Sequence, residues 1–173
     1  EELIAMVKDA AVQNRMYLER DILGPSLKIL HVQGYEYSGY RARIYDIKSY
    51  FDENMRLLCP ENVAQLFPTE RPVYTKVRDE APVRYAMDCQ VHRCIVADGC
   101  IIEGEVENSI LFRGVRVEKG AKVSGCVLMQ GTAVQAGAVL KYAITDKNVR
   151  VNPGRMLMGH NTYPLSIAKN EIV

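Results

Sequence analysis

Cysteine and histidine are the side chains of this sequence that could bind a transition metal. Cys89, His92 and Cys94 lie close together in the chain, and thiolate and imidazole groups are the usual ligands of zinc. The five cysteines form no Cys-x-x-Cys pair, which is the spacing typical of structural zinc sites. We therefore expect buried or incidental side chains and no metal site. The odd number of cysteines predicts reduced thiols in a cytoplasmic protein.

His160 is a residue of this sequence that could act in catalysis without a metal. It lies in the segment M-G-H-N-T-Y-P (158–164), near the end of the sequence. A histidine can act as a general base because its pKa lies close to neutral pH. Whether His160 does so depends on the elements that present it.

Internal repetition in the second half of the chain predicts those elements. Related segments begin at residues 94, 109, 126 and 143, so the first step is slightly shorter than the two equal steps that follow. Within them an apolar residue recurs in steps of six, followed three positions later by Gly or Asn and then by a small or β-branched residue. Seven of the eight starting residues are aliphatic, with Thr145 the exception: Val96, Ile102, Leu111, Val117, Leu128, Val134 and Val151.

This six-residue pattern predicts short strands joined by tight corners. Each aliphatic side chain points inward, and the Gly or Asn tolerates the positive φ that a corner requires. Three faces per coil of about 17 residues make a triangular column in which neighbouring coils bury their apolar edges against each other. The pattern resembles the hexapeptide repeat of left-handed parallel β-helices. We therefore predict a mainly β fold with a parallel β-helix of about four coils.

The first part of the chain has a mixed pattern. Apolar residues recur at helical spacing in residues 1–23 and again in 49–58, and residues 29–45 have the pattern of extended strands. Asp46 and Ser49 are both suitable N-caps for the second helical segment.

Four segments follow from these patterns. Residues 1–67 are too short to close a sheet of their own, so we expect the C-terminal remnant of an α/β domain there. A proline-rich connector at 68–88, the β-helix at 89–160 and a tail at 161–173 complete the chain.

The overall charge excludes several classes of partner. The chain has 22 basic and 21 acidic residues and a net charge of +1, so no bulk charge attracts nucleic acid or a membrane surface. No apolar run reaches the length of a transmembrane helix. We therefore expect neither a nucleic-acid partner nor a membrane partner.

The motifs and their order resemble a known family. A helix ending N-M-R-L-L (54–58) and the connector precede S-I-L-F-R-G-V-R-V-E-K-G-A-K-V (109–123) and I-T-D-K-N-V-R-V-N-P-G (144–154). This arrangement is similar to the C-terminal portion of bacterial glucose-1-phosphate adenylyltransferase, also called ADP-glucose pyrophosphorylase. The resemblance covers nearly the whole chain and implies an α/β nucleotidyltransferase-like domain whose earlier part, with its nucleotide-binding loop, lies upstream of residue 1.

The chain departs from the catalytic members of that family at a metal-binding position. Those members carry Y-W-x-D-x-G-T, whose Asp helps to bind the catalytic Mg²⁺, and the matching stretch here is Y-R-A-R-I-Y-D (40–46). Arg43 stands where that Asp is expected, and a guanidinium cannot coordinate a cation. An alternative alignment would use Asp46 as the ligand. The family segment D-F-G-K-D matches Y-L-E-R-D (17–21), which keeps only the final Asp.

These departures resemble the non-catalytic, D-type subunit of bacterial glycogen biosynthesis. The resemblance implies a regulatory subunit that binds no cofactor in this fragment, although the family reaction needs Mg²⁺. That reaction converts ATP and glucose 1-phosphate to ADP-glucose and pyrophosphate. The partner would be a catalytic adenylyltransferase subunit in a hetero-oligomer, or the chain would self-associate through its β-helix. In the alternative, the full-length protein is itself an active adenylyltransferase.

The resemblance also implies a site for an anionic effector. In the family, the turn matching residues 145–148 carries a basic residue that binds phosphorylated or sulfated metabolites, and Lys147 keeps that charge. Arg113, Arg116 and Arg150 are expected on adjacent coils, and clustered cations hold an anion better than isolated ones do. The alternative is that these side chains are simply solvated.

His160 supports a function of another class. Hexapeptide-repeat acyltransferases share the β-helix fold, and many use a catalytic histidine as the base. Their β-helices usually have more coils, and their active sites lie between the subunits of a trimer. We keep this function as a second alternative.

Overall fold

The computed structural model describes residues 1–173, which form two compact units, Glu1–Ser38 and Gly39–Val173. The first unit is helical and contains α1 (Glu2–Val12), a π-helical turn (Leu18–Leu23) and α2 (Gly24–Ser26). No helix of the structure combines the length and the apolar character that crossing a bilayer requires.

The second unit begins with two helices and continues into strands. Helix α3 spans Ile47–Arg56, and α4 spans Pro60–Leu66. Asp46 is the N-cap of α3 and forms a capping box with Ser49, as the sequence predicts. The strand expected in residues 29–45 does not form. An extended segment becomes a strand only when a neighbouring strand satisfies its backbone, and every strand of this chain lies in the β-helix.

Fifteen short strands wind into a three-sided parallel β-helix. Each face is a five-stranded sheet in which every inner strand pairs with the strands one coil before and one coil after it. Face A contains β1 (Arg84–Tyr85), β4 (Ile101–Ile102), β7 (Arg116–Val117), β10 (Ala133–Val134) and β13 (Arg150–Val151). Face B contains β2 (Gln90–His92), β5 (Glu105–Glu107), β8 (Lys122–Ser124), β11 (Val139–Lys141) and β14 (Met156–Met158). Face C contains β3 (Ile95–Val96), β6 (Ile110–Leu111), β9 (Val127–Leu128), β12 (Ala143–Thr145) and β15 (Leu165–Ile167). The predicted mainly β class and hexapeptide-repeat β-helix are confirmed.

The core of the β-helix is built from inward side chains of the strands and corners, stacked coil on coil. On face C, Leu111 pairs in register with Leu128, which pairs in turn with Thr145, and all three side chains are fully buried. Ile102, Val117, Val134 and Val151 form the matching row on face A. Because each apolar side chain lies directly above another, the coils exclude water along the whole axis.

One corner explains the irregular spacing of the repeats. Between faces A and B, the second coil turns through Gly104, whereas the third coil uses the longer segment 118–121. A β-carbon at residue 104 would collide with the backbone oxygens of Glu118 and Ala121. Glycine therefore allows the tighter corner, and this coil is shorter than the coil that follows it.

The last coil is longer than the others. Ile144 on β12 pairs with Ser166 on β15, whereas one coil earlier Val127 pairs with Ile144, and the later step along the chain is clearly the longer one. The extra residues lie in 159–164, which replaces the single-residue corner formed by Tyr142 one coil earlier. We call residues 159–164 the insertion loop.

Helix α3 packs on the outside of face C. Phe51 is buried against Val127 and Ile144, and Tyr50 and Met55 pack at the edge of this cluster. In β9 and β12 of face C, the outward side chains are buried as well as the inward ones. The outward side chains of faces A and B are not covered in this way. The helix therefore belongs to the same packed body as the β-helix.

Replacing Leu128 by Ala should lower the free energy of unfolding by about 2 to 5 kcal/mol, because it leaves a cavity between Leu111 and Thr145. Chemical denaturation would measure the change. Lys119→Ala, at an exposed corner, is the control and should change stability by less than about 0.5 kcal/mol. Equal effects of the two substitutions would contradict the stacked core.

Candidate functional site

At the corner between faces C and A, one residue of each coil stacks on the equivalent residue of the next coil, and three residues of this row are basic. Backbone hydrogen bonds stack this corner from coil to coil: the N–H of Gly131 donates to the oxygen of Arg113, and that of Asn148 donates to the oxygen of Gln130. The N–H of Asn170 donates to the oxygen of Lys147 over 2.9 Å. The row therefore reads Asp98, Arg113, Gln130, Lys147 and Lys169. We call Arg113, Lys147 and Lys169 the cationic corner.

The other two predicted effector residues lie beside this corner, on face A. Arg116 and Arg150 both pair with Ala133, one coil above and one coil below it, and both are exposed. Since parallel strands are about 4.8 Å apart, their backbones are separated by about 10 Å. The four predicted cations therefore lie in two parallel rows. Arg113 and Lys147 belong to the corner, and Arg116 and Arg150, each three positions later in the sequence, belong to face A. None of them takes part in the ion pairs of the protein.

Lys169 was missed by the sequence analysis. A last repeat of the same length as the two before it would place Pro164, not Lys169, one coil after Lys147. The insertion loop moves the true neighbour further along the chain. Lys147 and Lys169 are consecutive in the row, so their backbones are closer than those of any other two members of the cationic corner.

Two buried hydroxyl groups support this corner from inside. Thr132 and Thr145 are fully buried, and their Oγ1 atoms are hydrogen-bonded at 2.9 Å. The N–H of Met129 donates to Oγ1 of Thr145, and Oγ1 of Thr132 donates to the oxygen of Asp146. Thr145, the exception among the aliphatic starting residues, therefore connects the corners of two coils in the core.

A groove of about 760 Å³ separates the start of α3 from the last coils. Its apolar floor includes Ile144 and Met129, and carboxylates of Asp46, Asp146 and Glu171 line it. No lysine or arginine lines this groove, so its charge opposes the binding of a phosphate or sulfate group. An anion is better accommodated on the cationic corner.

Arg43 and Asp46 occupy different environments. Arg43 is exposed in the irregular segment before α3 and forms no ion pair. The Oδ1 atom of Asp46 accepts the N–H of Ser49 at 2.6 Å, while the hydroxyl of Ser49 bonds back to the backbone of residue 46. Hydrogen bonds from Ser49 lower the pKa of Asp46 below its usual value. The carboxylate that the alternative alignment would assign to Mg²⁺ is thus used as a helix cap.

Asp21, the one acid retained from the family segment, is also used locally. Its carboxylate accepts the backbone N–H groups of Met16 and Tyr17 and forms an ion pair with Arg20 at 2.6 Å. The Arg20 hydrogen bond and these backbone groups lower the pKa of Asp21 to about 2. In this structure Asp21 therefore stabilises the π-helical turn.

His160 lies in the insertion loop and is exposed. Its Nδ1 atom accepts the N–H of Thr162 at 3.3 Å and is 2.8 Å from the hydroxyl of the same residue. No carboxylate bonds to the ring, so the group that usually orients a catalytic histidine is not provided by this chain. The ring lies 6.4 Å from that of Tyr142.

Of the three residues considered as zinc ligands, Cys89 and Cys94 pack against the core of the β-helix, whereas His92 does not. His92 is exposed on face B, whereas Cys94 turns toward the core and its Sγ donates to the oxygen of residue 92 at 3.1 Å. Burial raises the pKa of Cys94, and it raises that of the fully buried Cys126 to about 12. The structure contains no group of three His, Cys, Asp or Glu side chains that could hold a metal ion.

The fold and its corners are those of a hexapeptide-repeat β-helix protein. Residues 80–163 match the family described as GlmU-like, C-terminal hexapeptide. The glycogen biosynthesis protein GlgD of Bacillus subtilis (strain 168) is 42% identical over 135 residues, which cover 78% of this chain and 39% of that protein. A glucose-1-phosphate adenylyltransferase of Bacillus cytotoxicus is 34% identical over 123 residues, covering 71% of this chain and 33% of that protein.

A second GlgD, from Geobacillus stearothermophilus, is 50% identical over 70 residues, covering 40% of this chain and 20% of that protein. The chain thus spans about two fifths or less of the length of these relatives. The resemblance found in the sequence is confirmed: the chain is related to GlgD and to the glucose-1-phosphate adenylyltransferases and corresponds to part of their length.

Replacing Asp46 by Ala should loosen the first turn of α3, whereas Asp46→Ser should preserve it, because serine is also a good N-cap. The lowered pKa of Asp46 means that its contribution is present above about pH 4 and is lost as the pH falls through the folded pKa. Amide exchange of α3 as a function of pH would measure both effects. If Asp46→Ser and Asp46→Ala loosened the helix equally, the carboxylate would have a role other than capping.

Proposed function

We propose that the protein is a non-catalytic, regulatory subunit of a glucose-1-phosphate adenylyltransferase in glycogen biosynthesis. The observation that carries this proposal is the pair of residues 43 and 46. An exposed arginine stands where the resemblance expects a magnesium-binding carboxylate, and the nearest carboxylate caps a helix. The similarity to two glycogen biosynthesis proteins named GlgD supports a role in glycogen biosynthesis.

The partner in this proposal is a catalytic adenylyltransferase subunit, and the β-helix mediates assembly. Faces A and B carry outward side chains that are mostly exposed, and face B exposes Met156 and Met158 on its last strand, β14. Such surfaces are suited to contacts between subunits. Self-association through the same surfaces is the alternative arrangement.

The regulatory part of the proposal concerns the cationic corner. Lys147 and Lys169 lie on consecutive coils with no acidic partner in an ion pair, and Arg113, Arg116 and Arg150 add positive charge nearby. The acidic groove beside α3 disfavours anions, so the corner is the better location for a phosphorylated or sulfated effector.

The alternative function is an active adenylyltransferase when the protein is full length. The relative of that name from Bacillus cytotoxicus favours this function. The two functions differ in one respect that an assay can detect, which is whether ADP-glucose forms without a second subunit.

The decisive assay measures ADP-glucose synthesis by the full-length protein alone and mixed with a catalytic subunit, in the presence of Mg²⁺. We expect no synthesis by the protein alone and a several-fold change in the activity of the catalytic subunit in the mixture. Robust synthesis by the protein alone would rule out the non-catalytic function. Binding of acetyl-CoA that is lost in His160→Ala would instead support the acyltransferase alternative.

The effector site can be tested with sulfate and inorganic phosphate as probes. We expect Lys147→Gln combined with Lys169→Gln to weaken binding by about tenfold or more, because two adjacent positive charges are removed. Chemical-shift titration would measure the affinity. Lys119→Gln combined with Lys141→Gln, which removes two exposed positive charges from other parts of the β-helix, is the matched control and should leave the affinity unchanged. Equal loss in all variants would indicate binding through net charge alone.

A further inference from the structure

Tyr142 has a backbone conformation that is unusual for an aromatic residue. It forms the single-residue corner between faces B and C of its coil, with a φ of 49°. The equivalent corners of the preceding coils are formed by Arg93, Asn108 and Gly125, which also have positive φ. Glycine and asparagine adopt this conformation readily, whereas a bulky side chain is strained there. Two of the four corners nevertheless carry a large side chain, Arg93 and Tyr142, and for Tyr142 the contacts of the ring offset the strain.

The ring of Tyr142 contacts the helix that covers face C. It lies edge-on to Phe51, with ring centroids 6.4 Å apart and an interplanar angle of 72°. Phe51 is the buried anchor of α3, and its other neighbours in the cluster are Val127 and Ile144. Val127 and Ile144 belong to strands of face C, and Phe51 belongs to α3, whereas Tyr142 extends from a corner.

The corner one coil earlier leaves space for this ring. A β-carbon added to Gly125 would lie 3.0 Å from two ring carbons of Tyr142. A side chain at residue 125 would press on the ring, which would have to shift by a few tenths of an ångström. The small residue and the aromatic residue on adjacent coils are thus complementary.

The position of α3 in turn determines the shape of the groove. Asp46, Ile47 and Tyr50, at and near the start of the helix, form one wall, and Ile144 and Ser166 belong to the other. A shift of the helix away from face C would widen the groove, because the two walls belong to different elements.

We propose that Tyr142 is a positioning residue: its strained corner holds the ring against Phe51, fixes α3 on face C and so sets the width of the groove. The strain is local to one corner, and the ring contact stabilises the helix above it. Removing the ring should therefore release the helix without weakening the coils below. This role is independent of any effector that the cationic corner binds.

The test compares Tyr142→Gly, Tyr142→Asn and Tyr142→Phe by amide hydrogen exchange in the full chain. Glycine and asparagine both accept the positive φ and lack the ring, so α3 should exchange about tenfold faster or more while the thermal midpoint of the β-helix is unchanged or higher. The phenylalanine variant keeps the ring that lies edge-on to Phe51 and should therefore behave like the natural protein.

A second pair of variants separates positioning from general stability. Gly125→Ala should accelerate exchange in α3 when Tyr142 is present and should add no further acceleration in the Tyr142→Gly background, because the ring is then absent. Unchanged protection of α3 in Tyr142→Gly would overturn the proposal. Equal loss of protection in α3 and in strands β9 and β12 would also overturn it, since Tyr142 would then be an ordinary part of the core.

Discussion

The stacking of inward side chains on the residues in register with them in the next coil is the constraint on which this structure depends. Leu111, Leu128 and Thr145 show it on face C, where each residue pairs in register with the next. Because the register is in phase on all three faces, every corner also lies above another corner. The order of the core therefore organises the surface: residues far apart in sequence, such as Arg113 and Lys147, come to lie in one row.

The β-helix could be predicted from the sequence where each coil repeats the same residue types at the same positions. It was predicted less completely where the repeat changes length or where a helix packs on a face. The hexads of faces C and A were recognised, but Val123 and Leu140 on face B were not, although each lies six positions after the inward residue of face A. The six-residue step is interrupted only after them, because the corner between faces B and C has one residue fewer. The docking of α3 was also missed. A signal was present, because face C carries two consecutive buried apolar residues, as in Val127–Leu128, which indicates a strand covered on both sides.

The residues of the candidate site also differ in how well they could be predicted from the sequence. Lys147 could be identified from its motif, and Asp46 from its position before a helix, because both depend on local sequence. Lys169 and the acidic groove could not be predicted, since the first depends on the length of the insertion loop and the second on where α3 packs. Charge of opposite sign on neighbouring surfaces follows from this packing: the cations lie on the corner, and the carboxylates lie between the helix and the sheet.

The short period of the coils has a consequence for how the chain folds. Each coil pairs with a neighbour that is close in sequence, so closing one coil on the next costs little chain entropy compared with a sheet whose strands are distant in the chain. Folding can then begin at any coil with a well-packed interior and propagate along the axis in both directions. The final coil has the longest segment to close, so its addition is entropically the most costly.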